Sequence, residues 1–241
     1  MVKHELLNFS TFNCRGLGEH SKRRTVLHWL KRYHDGILCL QETHSTELMA
    51  NQWKNDWKGD VYFSHGKSSA RGVAILVSDK VNLNVKKIIC DMSGRFLLLD
   101  TEFEGEQLII ANVYAPTKDK LAQQHEFLNY VSQELRTYAD KNLIIGGDLN
   151  ICFDPSIDKK GGRPELTSSA ATSLVNIMDE LNLIDIWRLL NPDSSRFTRR
   201  EMTRGGLVQS RLDYWLLSEH LLYELQDQKI QDLGQKKLQL I

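Results

Sequence analysis

The sequence predicts an α/β fold in which two mixed β-sheets pack face to face and helices cover their outer sides. Three observations predict it: strand-like segments fill the middle of the chain, helical patterns separate the groups of strands, and no linker rich in Pro, Gly or Ser divides the 241 residues. With 41% hydrophobic and 26% charged residues, the chain can build one sizeable core, which excludes disordered and fibrous proteins. We therefore predict a single domain over residues 1–241.

The first part of the chain alternates strands and helices. Leu6 to Phe12 alternates apolar and polar residues as a strand does, and after Ser21 the apolar residues from Val26 to Tyr33 follow helical spacing. The apolar run 36–40 is typical of a buried strand, and Ser45 starts another helical pattern. This part therefore indicates strand, helix, strand, helix.

The rest of the chain contains a β-rich stretch and then a second alternation. Strand patterns cover residues 61–63, 72–77, 81–89, 96–101 and 108–114. A helical pattern over 118–138, a buried strand over 143–145, another helical pattern over 170–181 and a last strand over 211–217 follow. This order favours two sheets with helices between the groups of strands.

Charge, cysteines and the N-terminus restrict the class of protein. Lys plus Arg and Asp plus Glu are equal at 31 each, so any site for a polyanion must be local. The four cysteines form no C-x-x-C pair, which argues against a zinc site. Their spacing favours a reduced intracellular compartment. The apolar stretch after residues 1–5 is too short for a signal peptide or a membrane span.

Polar side chains collect where the predicted core strands end. They are Asn13, Gln41, Glu42, Asn112, Tyr114, Asp148, Asn150 and Asp213. Each alone is typical of a strand terminator or of edge packing. Together, Asn13, Glu42, Asp148 and Asn150 supply the hard oxygen ligands that Mg²⁺ or Mn²⁺ requires. A phenol beside such a metal suits phosphoryl chemistry, which needs charge neutralisation and an activated water.

Six segments resemble, in order, the signature motifs of the endonuclease/exonuclease/phosphatase superfamily. They are Phe12–Gly16, Leu40–His44, Arg71–Ile75, Asn112–Pro116, Gly146–Asn150 and Ser210–Trp215. The likeness is strongest to the apurinic/apyrimidinic endonuclease and exonuclease III branch, in the version carried by LINE-type non-LTR retrotransposons. It extends from about Leu6 to about His220, and six motifs in the same order are a specific signal.

The resemblance implies a four-layer α/β sandwich that hydrolyses DNA phosphodiester bonds with Mg²⁺, for which Mn²⁺ can substitute. It further implies an intracellular, nuclear, monomeric enzyme without an organic cofactor or a membrane partner. The implied metal ligands are Asn13, Glu42, Asp148 and Asn150. In the implied catalytic roles, Asp148 deprotonates the attacking water, Asn150 stabilises the transition state, Tyr114 bonds the phosphate or leaving oxygen, and Asp213 orients a histidine.

The chain departs from the family pattern at its C-terminus. Family members carry a Ser-Asp-His triplet before one last core strand, whereas residues 232–239 here lack it and no histidine follows His220. We therefore expect a domain truncated after about residue 220, without the last core strand and without the histidine that Asp213 would orient. His44 is predicted to be a loop residue. Our hypothesis is a truncated or frame-altered retrotransposon reading frame, which sequencing the genomic locus for downstream Ser-Asp-His or reverse-transcriptase codons tests.

A second departure lies in the segment 197–200, where relatives usually place a Trp after Thr198. Arg199 offers charge and a planar fork instead. With neighbouring arginines it forms either a basic rim for DNA phosphates or the charged edge of a solvated hairpin. The candidate substrate-binding residues are Asn112, Thr198, Arg199 and Arg211. Residues 159–163 are expected to form a surface loop without a role.

Three functions are compatible with these residues. The first is a Mg²⁺-dependent DNA endonuclease, of the retrotransposon type or an abasic-site and exonuclease III-like repair enzyme. The second is a catalytically impaired remnant that binds nucleic acid without cutting it. A phosphatase of the same superfamily is less favoured, because no lipid-facing apolar segment accompanies the Arg-rich hairpin.

Overall fold

Two six-stranded β-sheets form the centre of the computed structural model, which describes residues 7–162 and 167–224 and the backbone of 228–231 and 237–240. The first sheet has the order β14-β15-β1-β2-β4-β3. Its strands are β1 (Phe9–Asn13), β2 (Ile37–Gln41), β3 (Asp60–Ser64), β4 (Val73–Val77), β14 (Gln228–Gln231) and β15 (Lys237–Leu240). Only β1 and β2 run parallel to each other, and the other neighbours are antiparallel.

The second sheet has the order β10-β13-β8-β7-β6-β5. Its strands are β5 (Asn84–Cys90), β6 (Phe96–Phe103), β7 (Glu106–Tyr114), β8 (Asn142–Asp148), β10 (Leu183–Asp185) and β13 (Asp213–Ser218). Its one parallel pair is β7 and β8. A smaller sheet has the order β11-β12-β9, with β9 (Lys159–Lys160), β11 (Arg199–Thr203) and β12 (Gly206–Ser210). The start of the expected 159–163 loop is therefore a short strand.

Six α-helices accompany the sheets in the described part of the chain. They are α1 (His20–Tyr33), α2 (Ala50–Trp57), α3 (Leu121–Arg136), α4 (Pro155–Asp158), α5 (Ser169–Glu180) and α6 (Ile186–Leu190). Short 3₁₀ turns cover Glu47–Met49, Lys118–Lys120 and Glu219–Glu224. The Ser168 side chain accepts a hydrogen bond from the Ala171 backbone N–H and so begins α5. None of these helices combines the length and the apolar character that crossing a membrane requires.

The buried side chains form four layers. Helices α1 and α2 pack Leu27 and Trp53 against one face of the first sheet, while the other face contributes Ile37 and Ile75 to a core shared with the second sheet. Helices α3 and α5 cover the outer face of the second sheet. Strand β2 is buried on both faces because Leu38 points to the helices and Ile37 to the opposite sheet. The predicted fold of two packed mixed sheets flanked by helices is confirmed.

Strand β15 corrects the expectation that the last strand of the first sheet is missing. It pairs antiparallel with β1, with Leu240 opposite Phe9 and Leu238 opposite Thr11. The sequence Lys237-Leu238-Gln239-Leu240 alternates polar and apolar residues, the pattern of a half-buried strand. This alternation lies outside the six family motifs, so the motif resemblance does not predict the strand. The edge of β1 is thus paired within the chain.

Candidate active site

The polar residues predicted at strand ends meet at one edge of the two packed sheets. In each sheet the two parallel strands end side by side at their C-terminal ends. Asn13 therefore lies next to Gln41, and Tyr114 lies next to Asp148. Glu42 directly follows β2. The two sheets therefore bring residues that are far apart in sequence to a common place.

A single amide joins the two candidate carboxylates. Asn13 Nδ2 donates to Glu42 Oε1 at 2.7 Å and to Asp148 Oδ2 at 2.9 Å. The Tyr114 hydroxyl donates to the same Glu42 oxygen at 3.1 Å. These four side chains, which we call the Asn13 cluster, connect the first sheet to the second.

Asn150 and Glu42 both adopt left-handed backbone conformations beside the Asn13 cluster. Their φ angles are 49° and 52°, which non-glycine residues rarely adopt. The Asn150 backbone N–H donates to Asp148 Oδ1 at 3.0 Å, and its side-chain Nδ2 donates to the Ala115 carbonyl at 2.9 Å. The loop after β8 therefore fixes the orientation of the Asp148 carboxylate.

Asp213 lies beside Asp148 at the start of the neighbouring strand. Their Cα atoms are partners in the β13–β8 register, and both side chains are buried. The Asp213 backbone N–H donates to Thr198 Oγ1 at 3.1 Å. His220 lies far from this place, because it bonds Asn142 at the opposite end of β8.

His44 lies on the loop that follows Glu42, as predicted. Its backbone N–H donates to the Arg71 carbonyl at 2.8 Å, and its φ is 53°. Its ring packs over Gly16, where an added Cβ would lie 2.7 Å from His44 Nδ1. Gly16 is therefore required for the close approach of these two loops.

The oxygen donors of the Asn13 cluster fit a hard divalent cation. Two carboxylates within reach of one amide nitrogen repel each other, and a cation between them would relieve that repulsion. Carboxylate and amide oxygens are the donors that Mg²⁺ and Mn²⁺ prefer. Asn13 faces the carboxylates with its nitrogen, while its Oδ1 accepts from the Arg15 N–H at 3.2 Å. Rotation of this amide would add a third oxygen ligand.

His, Cys, Asp and Glu alone do not build a metal centre here: within the described residues no three of them form a group suited to one. The candidate set instead combines two carboxylates with amides. Water molecules complete the coordination of Mg²⁺ in such sites.

The environment of Tyr114 keeps its phenol protonated. Burial raises the pKa of Tyr114 well above its usual range, and the neighbouring charges of Glu42 and Asp148 raise it further. Tyr114 is therefore a hydrogen-bond donor at every pH at which the protein is expected to work.

Asn112 does not face the site, although the sequence places it among the substrate-binding candidates. Its side chain is buried between the sheets, where Nδ2 donates to the carbonyls of Leu40 at 3.0 Å and Ala74 at 2.8 Å. Its Oδ1 accepts from Gln41 Nε2 at 2.7 Å. Asn112 therefore ties β7 to β2 and β4. A strand-end polar residue can point inward as well as outward, and the sequence pattern does not distinguish the two.

Thr198 and Arg211 are also buried. Thr198 Oγ1 accepts from the backbone N–H groups of Leu212 and Asp213, and so fixes the start of β13. Arg211 makes two hydrogen bonds to Asp158, at 2.8 and 2.9 Å, and two to Asp185, at 3.0 and 2.6 Å. These carboxylates draw its guanidinium inward, away from a basic rim.

The charge of Arg211 is maintained in spite of its burial. Burial opposes the charged form, but the hydrogen bonds and charges of Asp158 and Asp185 outweigh it, so the pKa of Arg211 is raised. The guanidinium also lies over the Tyr214 ring, 4.4 Å from its centroid.

A groove of about 970 Å³ opens beside Asn150. Its lining includes three cationic side chains, Lys118, Lys159 and Arg199. Arg199 Nη2 donates to Glu201 at 2.7 Å, and both residues line the groove. The cations reach the groove from three separate segments of the chain.

The β11–β12 hairpin forms one wall of this groove and exposes apolar surface. Met202 is paired with Leu207 across the hairpin, on the face that does not line the groove, and the two are 76% and 48% exposed. Arg204 lies in the turn that joins the two strands. Of the four candidate substrate-binding residues, Arg199 is therefore the one that the structure places at the groove.

Arg95 is a residue near the site that the sequence does not single out. Its Nη1 donates to the Tyr114 carbonyl at 2.9 Å, and its guanidinium lies over the Tyr114 ring. Arg95 lies in the turn before β6 and Tyr114 ends β7, and no local pattern predicts this contact. The only signal in the sequence is that the cationic Arg95 directly follows Gly94, a residue type that is common in turns.

Comparisons with known proteins indicate the family of the chain. A model described as the Endonuclease/Exonuclease/phosphatase family matches residues 10–227. The Transposon TX1 uncharacterized 149 kDa protein of Xenopus laevis is 32% identical over 225 residues, which are 93% of this chain but only 17% of that protein. The DNA repair nuclease APEX1 of Danio rerio is 28% identical over 251 residues, 94% of this chain and 77% of that protein.

A solved structure has the same fold. The crystal structure of AP endonuclease LMAP from Leishmania major aligns with a TM-score of 0.80 at 18% identity, over 97% of this chain and 86% of that one. The resemblance inferred from six sequence motifs is confirmed by the family model, the relatives and this fold.

Proposed function

Because the chain belongs to the Endonuclease/Exonuclease/phosphatase family, we propose that it is a divalent-metal-dependent DNA endonuclease whose reaction takes place at the Asn13 cluster. The family and the nuclease relative indicate a phosphodiesterase-type enzyme by resemblance. The observation that carries the proposal is the amide of Asn13, which links two carboxylates from different sheets. Acidic side chains held together in this way suit Mg²⁺ and phosphoryl transfer.

The residues of the cluster divide the reaction between them. Glu42, with Asn13 rotated, would hold Mg²⁺, which when bound neutralises charge on the phosphate oxygens. Asp148, oriented by the Asn150 N–H and next to Asp213, accepts the proton of the attacking water. Asn150 stabilises the transition state with its amide.

Tyr114 is proposed to serve as the hydrogen-bond donor to the substrate. Its protonated phenol points at Glu42 Oε1, the oxygen that would turn to the metal. The phenol then donates to an oxygen of the scissile phosphate or of the leaving group. Developing negative charge on that oxygen strengthens the bond in the transition state.

The groove beside Asn150 is proposed to bind the DNA backbone. Lys118, Lys159 and Arg199 outnumber the two acidic residues of the lining, Asp119 and Glu201, so the groove has a local positive excess although the protein carries no net charge. Affinity for DNA should therefore fall as the salt concentration rises.

We propose that the enzyme nicks DNA at a transposon target, which the 32% identity to a Xenopus transposon protein supports. An abasic-site or exonuclease III-like repair activity is the alternative target preference. A nuclear location and a monomeric state belong to the same proposal.

One observation favours a second candidate function. The histidine nearest to Asp213 in the sequence, His220, lies at the end of β8 away from Asp148. Loss of a group that assists proton transfer costs on the order of 10²–10⁴-fold in rate. The second candidate is therefore a domain that binds nucleic acid without cutting it.

Nicking of supercoiled plasmid with Mg²⁺ tests both candidates. Asp148→Asn and added EDTA should abolish nicking, whereas Asp193→Asn, in an exposed turn, should leave it unchanged. Intact plasmid with a folded wild-type chain, together with salt-sensitive binding in EDTA, would establish the second candidate instead. Hydrolysis of inositol phosphates with the plasmid left intact would indicate a phosphatase.

A further inference from the structure

Arg95 is held in a rigid turn between β5 and β6. The Asp91 carboxylate accepts the backbone N–H groups of Arg95 at 2.8 Å and Phe96 at 2.9 Å. It also accepts from Ser64 Oγ at 2.7 Å, at the end of β3 in the other sheet. Burial opposes the charge of Asp91, but these hydrogen bonds together lower its pKa. The turn that carries Arg95 is therefore fixed to both sheets.

Three contacts connect Arg95 to Tyr114. The Tyr114 backbone N–H donates to the Arg95 carbonyl at 2.8 Å, and Arg95 Nη1 donates to the Tyr114 carbonyl at 2.9 Å. The Arg95 guanidinium carbon lies 5.0 Å from the centroid of the Tyr114 ring. The same side chain thus restrains both the backbone and the ring of Tyr114.

These contacts direct the Tyr114 hydroxyl. Once its backbone is fixed, a tyrosine side chain is free to rotate about two torsions, and a cation over the ring face restricts both. The hydroxyl is then left pointing at Glu42 Oε1. Arginine suits this task better than lysine, because its planar fork can donate to a carbonyl while its face covers a ring.

We propose that Arg95 is a positioning residue that aims the Tyr114 phenol at the Asn13 cluster without contacting the DNA itself. The catalytic consequence rests on the proposed endonuclease function, but the restraint on Tyr114 does not. Arg95 and Tyr114 therefore act as one unit, and each part can be tested separately.

A spectroscopic experiment tests the restraint without any activity. In protein with ¹³C-labelled tyrosine rings, the Tyr114 signals are identified by their loss in Tyr114→Phe. Arg95→Gln should shift and broaden these signals, and Arg95→Lys should restore them in part. Arg32→Gln is the matched control, since Arg32 also lies over a tyrosine ring, that of Tyr33, on α1. Tyr114 signals that are the same in Arg95→Gln and wild type would overturn the proposal.

Single-turnover nicking tests the catalytic consequence. Arg95→Gln should slow the reaction by about 10- to 100-fold, the cost of a misplaced reacting group. The double variant with Tyr114→Phe should be no slower than Tyr114→Phe alone, because the two residues act as one unit. Losses that multiply in the double variant would overturn the proposal.

DNA binding in EDTA separates a positioning role from direct contact. Arg95→Gln should leave both the affinity and its salt dependence unchanged. A logarithmic salt slope smaller by about one would mean that Arg95 neutralises a phosphate, which would also overturn the proposal. If the wild-type chain does not nick DNA, the endonuclease function fails, and the ring signals still decide the role of Arg95.

Discussion

The amide of Asn13 lies between Glu42 and Asp148 and donates to both carboxylates. Its single NH₂ group serves both carboxylates, one from each sheet. Neutralising one carboxylate should relieve repulsion in the metal-free protein and, at the same time, weaken the cation site.

Thermal unfolding with and without Mg²⁺ measures both effects. Mg²⁺ at millimolar concentration should raise the Tm of the wild type, because a ligand that binds only the folded state stabilises it. Glu42→Gln keeps an oxygen to accept from Asn13 and Tyr114, and should equal or exceed the wild-type Tm without metal. It should lose the Mg²⁺ response, which the exposed Glu106→Gln should retain. A full response in Glu42→Gln would contradict the ligand assignment.

The protonated phenol of Tyr114 predicts how stability changes with alkaline pH. Because burial raises the pKa of Tyr114 in the folded state, its contribution is fully present below the ordinary value of 10 and is lost as pH rises above it. The unfolding free energy of the wild type should fall between pH 10 and 11, by up to about 1.4 kcal/mol per unit from this group. Tyr114→Phe should flatten the decline, and Tyr33→Phe, at an exposed position, should not. Equal slopes for all three proteins would refute this expectation.

Some site residues could be read from the sequence and others could not. Asn13, Glu42, Tyr114 and Asp148 each end or follow a core strand, and parallel strands bring such residues together. Arg95 could not be found this way, because its contact depends on how a turn in one region meets a strand from another.

Asn112, Thr198 and Arg211 show the limit of motif reading. They stand inside or next to motifs, yet their side chains satisfy buried groups. A motif contains residues that build the site as well as residues that touch the substrate. Only the contacts in the fold distinguish the two.

At the scale of elements, a buried ion cluster holds the base of the β11–β12 hairpin. Arg211 precedes β13, Asp158 ends α4, and Asp185 ends β10 and caps α6. Arg188 of α6 also bonds Asp158. The buried ion pairs therefore link the segment that follows β8 to the hairpin that forms one wall of the groove.

Arg211→Met should be strongly destabilising. It leaves the buried Asp158 carboxylate without its bidentate partner, and removing one member of a buried pair costs about 3–5 kcal/mol. Urea denaturation measures the loss. Arg136→Met, which breaks an exposed pair with Glu180, should cost only about 0–1 kcal/mol. Comparable losses in the two variants would show that the cluster does not stabilise the fold.

The elements themselves followed from periodicity. Strands such as β2 and β8, and helices such as α3, lie where apolar spacing predicts them. The two-residue β9 was not predicted, because its pairing with β12 comes from long-range register and not from its own composition. The motif resemblance does not predict strand β15, because its pairing with β1 joins residues that are more than two hundred positions apart in the sequence.

At the scale of the whole molecule, Asn112 connects the two sheets directly above the site. Its amide bonds strands β2 and β4 from its position on β7, inside the shared core. These bonds fix how Glu42 on one sheet faces Tyr114 and Asp148 on the other. Low polarity around them makes each unsatisfied group costly.

Asn112→Ala should therefore lower the unfolding free energy and leave DNA contact intact. A buried donor or acceptor without a partner costs about 1–3 kcal/mol, and the substitution leaves Gln41 without one of its acceptors. Chemical denaturation measures the cost, with the exposed Asn84→Ala as control. The affinity for DNA, corrected for the folded fraction, should equal that of the wild type. Weaker binding by the folded variant would return Asn112 to the substrate-binding residues.

The pairing of β1 with β15 has a consequence for synthesis on the ribosome. Strand β1 precedes the other strands of the first sheet and its neighbour β15 follows them, so all residues between the two must be translated before that edge of the sheet can close. At a translation rate of about 5–20 residues per second, this edge of β1 stays unpaired for on the order of tens of seconds. During that interval other chains can pair with the exposed edge of this strand, so we expect chaperones to bind the nascent chain.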